Sequence, residues 1–211
     1  IPVEMGISSA RELDGSTVCL LPDMVSGQAL DDFFRGNAIT WTPVPTEDDS
    51  AARRQYLDRT CETYARSAAE LYAIRATFEM PASHVVITDP ASRQPSGPVV
   101  RQGDDQWADI VRWTFNALIA AEGLGVTSAN VREMAAAPTA NPEINRLLGT
   151  EGEFGALMGL SRDWAVNAIA AGGNYGEIFE RHIGENTPIG LARGLNALWT
   201  KGGLQYAAPF R

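Results

Sequence analysis

The sequence predicts an α/β fold: one parallel-sheet, Rossmann-like lobe followed by a mostly helical C-terminal region. Two observations carry this. Residues 1–90 alternate short apolar, β-forming runs with helical patterns, and after Val99-Val100 almost every apolar pattern has helical period. A third supports it: residues 89–98 hold Pro90, Pro95, Gly97 and Pro98, which punctuate the chain between the two regions.

The elements follow in order. Ser9-Ala10-Arg11-Glu12 has capping-box spacing and opens a short helix that Gly15 ends. Thr17–Leu21 is a buried strand by its compact apolar composition. Ser26–Arg35 is a helix with Leu30, Phe33 and Phe34 on one face and Gly36-Asn37 as its stop. Ile39–Thr42 is a second strand and Glu47–Arg59 a polar helix with Tyr56 and Leu57 inward. Cys61–Ala65 is a third strand, Ser67–Phe78 a helix carrying Leu71, Ile74 and Phe78, and His84–Thr88 a fourth strand. The order β-α-β-α-β-α-β means parallel strands with helices on the sheet faces. The ligand-competent edge of such a sheet lies where strands end and helices begin. Two such turns stand out, Leu21–Gly27 and Ala65–Ala69.

Asp104 or Asp105 caps a long helix running to about Ala121. Its apolar residues (Trp107, Ile110, Val111, Trp113, Phe115, Leu118, Ile119) cover more than one stripe, so it is expected to be buried on several sides. Shorter helices are predicted near Ser128–Ala136, Pro142–Leu148, Arg162–Ala171, Tyr175–His182 and Pro188–Trp199.

Composition narrows the function classes. A net charge of −9 argues against a nucleic-acid surface, which needs clustered basic charge, and against anionic lipid. No stretch approaches the ~20 apolar residues that span a membrane. Ile1 rather than methionine opens the sequence, so a processed chain with its signal peptide removed is expected. Cys19 and Cys61 each sit in a strand-like run; by themselves they fit two buried thiols or one bridge in an oxidising compartment equally well.

Catalytic chemistry finds little support. The two histidines, His84 and His182, read as a packed strand residue and a helix-end dipole partner. No Cys/His spacing points to a metal, and neither a nucleophile elbow nor a phosphate loop is present. Glu177 and Glu180 are helix neighbours, and Asp104-Asp105 fit a cap better than an acid/base pair. The expectation is a protein that is not an enzyme and takes no cofactor or metal.

Several ordered stretches identify an ancestry. They are Leu71-Tyr72-Ala73-Ile74-Arg75, Arg101–Trp107 with Ile110–Thr114, Arg146–Gly152, Gly173–Glu177 with Phe179-Glu180-Arg181, and Ala192–Gln205. Together they resemble the general L-amino-acid-binding proteins of ABC importers, a branch of the type 2 periplasmic binding proteins. The resemblance runs from about Met5-Gly6 to Arg211. It implies a periplasmic protein built from two α/β lobes: residues 1–90 would form lobe two, 91–98 the crossover linker, and 99–211 the closing helices of lobe one. Most of lobe one's sheet would then lie before residue 1. The family also places cysteines at Cys19 and Cys61, which implies a disulfide between neighbouring strands.

The same resemblance implies where a ligand would bind and how this chain departs. At the first turn the family pattern is approximately Gln-Thr-Gly-Thr-Thr-Thr, whereas this chain has Leu21-Pro22-Asp23-Met24-Val25-Ser26. Asp23 puts a negative charge where a ligand carboxylate should dock, Pro22 lacks an N–H, and only Ser26 keeps the family's chemistry. At the second turn the family has Tyr-Thr-Thr-Asp-Gln-Ser, whose aspartate meets the ligand ammonium. Here Tyr64-Ala65-Arg66-Ser67-Ala68-Ala69 places Ser67 at the aspartate position and Arg66 beside it. The expectation is a binding-protein fold whose usual amino-acid site is lost and which acts through protein contacts as an accessory or structural subunit. The alternative is the amino-acid-binding component of an importer whose other lobe comes from elsewhere. Trp107, Trp113, Phe115, Trp164 and Trp199 are the expected interaction surface. It would be covered by another protein chain or a second copy, with an ABC permease or an envelope complex as candidate partners.

Overall fold

The computed structural model describes residues 1–21, 25–87 and 96–210. Internal contacts divide the chain into two units, Ile1–Ser96 and Gly97–Arg211.

In the first unit β1 (Ser16–Leu20) is the centre of a three-stranded parallel sheet, flanked by β2 (Trp41–Pro45) and β3 (Thr63–Tyr64) in the order β2-β1-β3. Consecutive β1 side chains go to opposite faces. Val18 packs with Phe34, Phe33 and Leu30 of α1 (Val25–Gly36) on one side. Cys19 packs with Ala52 and Tyr56 of α2 (Asp49–Leu57) and with Leu71 and Ile74 of α3 (Ala68–Arg75) on the other. This period of two is what a strand buried on both faces requires.

β2 runs further than the sequence predicts, through Pro43 and Pro45. Thr46 donates its N–H to the Leu20 carbonyl at 3.1 Å, so the even-numbered residues of β2 face β1 and both prolines turn their missing N–H to the open edge. An edge strand tolerates proline there. The predicted fourth strand, His84–Thr88, does not form among the described residues. His84 makes one isolated antiparallel bridge with Pro2, which has no N–H to extend a ladder. His84 instead packs its ring on Phe78 and Tyr56, with Nδ1 2.6 Å from the Tyr56 hydroxyl. Burial lowers its pKa from 6.5, so the imidazole is neutral at pH 7.

Cys19 and Cys61 are joined in a disulfide with Cα atoms 5.7 Å apart, as the resemblance implies. Both are fully buried, and the bridge ties the middle of β1 to the residues entering β3.

The second unit is helical. α4 (Asp105–Gly123) is capped by the Asp104 carboxylate, which accepts from the Trp107 N–H at 3.0 Å. It packs against α6 (Pro142–Leu147), α8 (Trp164–Gly172) and α9 (Tyr175–His182), which accounts for its apolar residues on several sides. Two short helices, α5 (Val131–Met134) and α7 (Phe154–Leu157), complete the set, and α7 had no sequence expectation. α9 has the predicted bounds because Asn174 and Glu177 form a capping box. The helix predicted at Pro188–Trp199 is absent. Gly190 (φ 64°) and Gly194 (φ 47°) take left-handed conformations that stop α-helix propagation, and only 3-10 turns form at Gly194–Asn196 and Trp199–Lys201.

This segment is nonetheless anchored. Arg193 pairs with Glu122 of α4 at 2.9 Å, donates to the Asn196 carbonyl, and lies over the rings of Tyr175 and Phe179. No helix of the described residues is long and apolar enough to cross a membrane.

Candidate functional site

The edge of the first unit's sheet where strands pass into helices is built by β1, β3 and the turns that follow them. At the first turn, Asp23 lies outside the described residues, and so does the side chain of Ser26. The backbone of Ser26 belongs to α1, which begins one residue earlier at Val25, so Ser26 lies within the helix rather than ahead of it. Gly27 lets α1 approach β1: a Cβ there would sit 3.1 Å from the Leu20 Cδ1.

The second turn is described throughout. Ala65 donates its N–H to the Cys19 carbonyl at 3.1 Å, continuing the β1–β3 pairing by one bond before the chain leaves the sheet. Ser67 then caps α3. Its hydroxyl oxygen accepts from the Glu70 N–H, and the Glu70 carboxylate reaches back to the Ser67 N–H. Two N–H groups at this helix start, the kind an anion would use, are thereby taken up locally. Replacing Ser67 by alanine is expected to cost about 1 kcal/mol of stability in urea denaturation. A change below about 0.3 kcal/mol would leave the cap without energetic weight.

Arg66 stands between. Its side chain is 11% exposed, and Nη2 lies 2.8 Å from Asp49 Oδ1 and 3.8 Å from Glu70 Oε1. Asp49 belongs to the first turn of α2, where its charge also suits the helix dipole. Its Oδ1 accepts from the Tyr64 hydroxyl at 2.5 Å. Burial, and then the bond to Asp49, push the Tyr64 phenol above its usual range, so it stays a donor at neutral pH. Arg53 completes the group, with Nη2 3.9 Å from Asp49 Oδ2.

Of the residues singled out in the sequence, the structure thus brings Arg66 and Ser67 together. Asp49, Tyr64 and Arg53 join them without having been picked out. Asp49 and Arg53 share one face of α2 at i and i+4, a visible signal, but nothing local says that this face meets the turn after β3.

Trp107, Trp113, Phe115, Trp164 and Trp199, the expected interaction surface, do not form one exposed surface. Trp164 is 9% exposed and belongs to the core, and Trp113 packs edge-on against Phe154 at 4.6 Å with Phe210 at 5.3 Å. Phe115 meets the Tyr175 ring edge-on at 5.8 Å. For Trp113 and Trp164 the reason is Phe210, itself 2% exposed, whose ring fills the space among Trp113, Phe154 and Trp164. Trp107 and Trp199 remain exposed, at 52% and 67%. Among the described residues no group of His, Cys, Asp and Glu side chains is arranged to hold a metal ion.

No protein-family model matches the chain. Individual proteins do. The chain is 51% identical over 207 residues to the glutamate/glutamine/aspartate/asparagine-binding protein BztA of Rhodobacter capsulatus, a match covering 98% of this chain and 61% of that protein. It is 46% identical over 209 residues to the general L-amino acid-binding periplasmic protein AapJ of Rhizobium johnstonii, again covering 98% and 61%. It is 43% identical over 206 residues to the putative amino-acid ABC transporter-binding protein YhdW of Escherichia coli, covering 98% and 60%. Among solved structures, an ABC transporter/periplasmic binding protein from Brucella ovis with glutathione bound superposes with a TM-score of 0.86 at 45% identity, covering 98% of this chain and 64% of that one. The chain spans about three-fifths of the length of the curated relatives it matches.

Proposed function

From its similarity over 98% of its length to periplasmic binding proteins of amino-acid ABC transporters, we propose that the chain belongs with them and works in the periplasm with such a transporter but without the family's usual amino-acid site. In this reading it acts through protein contacts, as an accessory or structural subunit. The buried disulfide fits the oxidising compartment.

The observation that carries the proposal is the charge balance at the second turn. A free amino acid needs an acidic side chain for its ammonium. Among the described residues the two carboxylates within reach, Asp49 and Glu70, are already paired with Arg66 and Arg53, and Ser67 is engaged as a cap. An incoming ammonium would have to displace a guanidinium that is nearly buried. Losing one charged contact of this kind typically costs about 2–5 kcal/mol, against the ~8 kcal/mol that a micromolar receptor has in total. The exposed Trp107 and Trp199 are the proposed anchors for a protein partner, either the permease or another envelope protein, because exposed tryptophans are over-represented where proteins meet.

A second reading is favoured by the extent of the identity to proteins named for amino-acid binding. In it the chain contributes one part of an amino-acid site that further residues, from a longer protein or another chain, complete. Calorimetry with the common L-amino acids and with glutathione, paired with light scattering, separates the two. The first reading expects no submicromolar amino-acid binding, and a self-associated or partner-bound mass that Trp107→Ala with Trp199→Ala reduces. A monomeric mass together with submicromolar capture of a free amino acid would sink it and leave the second.

A further inference from the structure

The Asp49 carboxylate is surrounded as a bound ligand would be. A phenol from β3, the guanidinium of Arg66 in the turn after it, and the guanidinium of Arg53 from α2 all face this one group. Two features distinguish the arrangement from an ordinary surface ion pair. The cation is the fixed member and the anion the exposed one: the Arg66 side chain is 11% exposed, Asp49 36%. The carboxylate is therefore the part that can swing out into water. Arg53 is also underused. Its contact to Asp49 is long, at 3.9 Å, and its Nε is buried with no hydrogen-bond acceptor among the described residues. A buried donor without a partner calls for an explanation, and two neighbouring guanidiniums are suited to a planar carboxylate. The location is the strand-to-helix edge, where open parallel sheets take their ligands.

We propose that Asp49 is the resident occupant of a carboxylate site, and that a small dicarboxylate binds by displacing it and docking on Arg66 and Arg53, with the Tyr64 hydroxyl as third donor. The inference rests on the reading that this turn does not receive an ammonium. It gives the turn the opposite polarity and names the ligand class. The formal charges of Arg53, Arg66, Asp49 and Glu70 cancel, so a ligand carboxylate competes with an equal charge already in place. Binding by the natural chain is accordingly weak, and neutralising Asp49 releases it.

The test is calorimetric titration of the chain with glutarate and succinate at matched ionic strength. Asp49→Asn keeps the shape of the side chain and removes its charge, and it is expected to bind glutarate about tenfold or more tightly than the natural chain, a gain of about 1.4 kcal/mol. Adding Arg66→Gln should abolish the gain, and adding Arg53→Gln should reduce it. Asp49→Ser serves as a second neutral variant if the asparagine one does not fold, with circular dichroism checking each. Equal affinity in the natural and neutralised chains, or affinity that survives Arg66→Gln, overturns the proposal. α-Amino acids run in parallel separate the two levels of inference. Binding of neither class overturns the carboxylate site alone. Binding of amino acids without dicarboxylates overturns the reading beneath it as well.

Discussion

Replacing Cys19 and Cys61 together by alanine is expected to destabilise the first unit by about 4 kcal/mol, the largest effect of any change in that unit. The bridge spans a sequence separation of 42, and the chain-entropy relation for a loop of that size gives this figure. The loop it closes contains α1, β2 and α2 and returns to β3, so the unfolded chain loses freedom over nearly half the unit. Native packing adds to the cost. Both sulfurs are in the core beside Ala52, Tyr56 and Tyr64, and alanine leaves that volume unfilled. The bridge is out of solvent, so the double variant is a cleaner probe than added reductant. Urea unfolding followed by circular dichroism measures the difference. A loss under about 1 kcal/mol would mean that the unfolded state is already held compact without the bridge.

Phe210→Ala is expected to have the corresponding effect in the second unit, about 3–5 kcal/mol. Its ring is 2% exposed and lies 5.1 Å from Phe154, 5.3 Å from Trp113 and 6.4 Å from Trp164, centroid to centroid. Removing it takes the common partner from three aromatic residues and opens a cavity among rings too rigid to collapse into it. The Phe210 carbonyl, which accepts from Arg146 Nε at 2.8 Å, belongs to the backbone and survives the substitution. The measured loss is therefore a packing term. Phe210→Leu, which keeps most of the volume, should cost clearly less; if the two variants unfold together, the cavity account is wrong.

Much of the fold was legible locally. β1 announces itself by a compact β-branched run, α9 by Asn174 and Glu177 at capping-box spacing, and α4 by its cap at Asp104. The errors have local causes that only a neighbour could correct. The sequence ends β2 at Thr42, yet among the described residues its outer edge is unpaired, so the strand continues through Pro43 and Pro45 at no cost. His84 looked like a strand residue but found only Pro2 to pair with. Gly190 and Gly194 lie inside the helix expected at Pro188–Trp199, and their left-handed conformations set its limit.

The candidate site divides in the same way. Ser67 and Arg66 could be located on the turn after β3 by position alone. Asp49 could not be assigned to them, because α2 must first cross the sheet face and bring its first turn beside Tyr64. The tryptophans show the converse. Their number invites a surface, and Trp113 and Trp164 are instead covered by Phe210, far along the chain.

What the sequence alone determined is the α/β order of elements, from local periodicity and capping chemistry, and, from ordered motif matches, a family resemblance that in turn implied a bridge between Cys19 and Cys61. Only the tertiary structure decided which carboxylates answer Arg66, and which aromatics are core and which remain in water. Charge compensation and burial are properties of pairs brought together across the chain, and no single segment carries them.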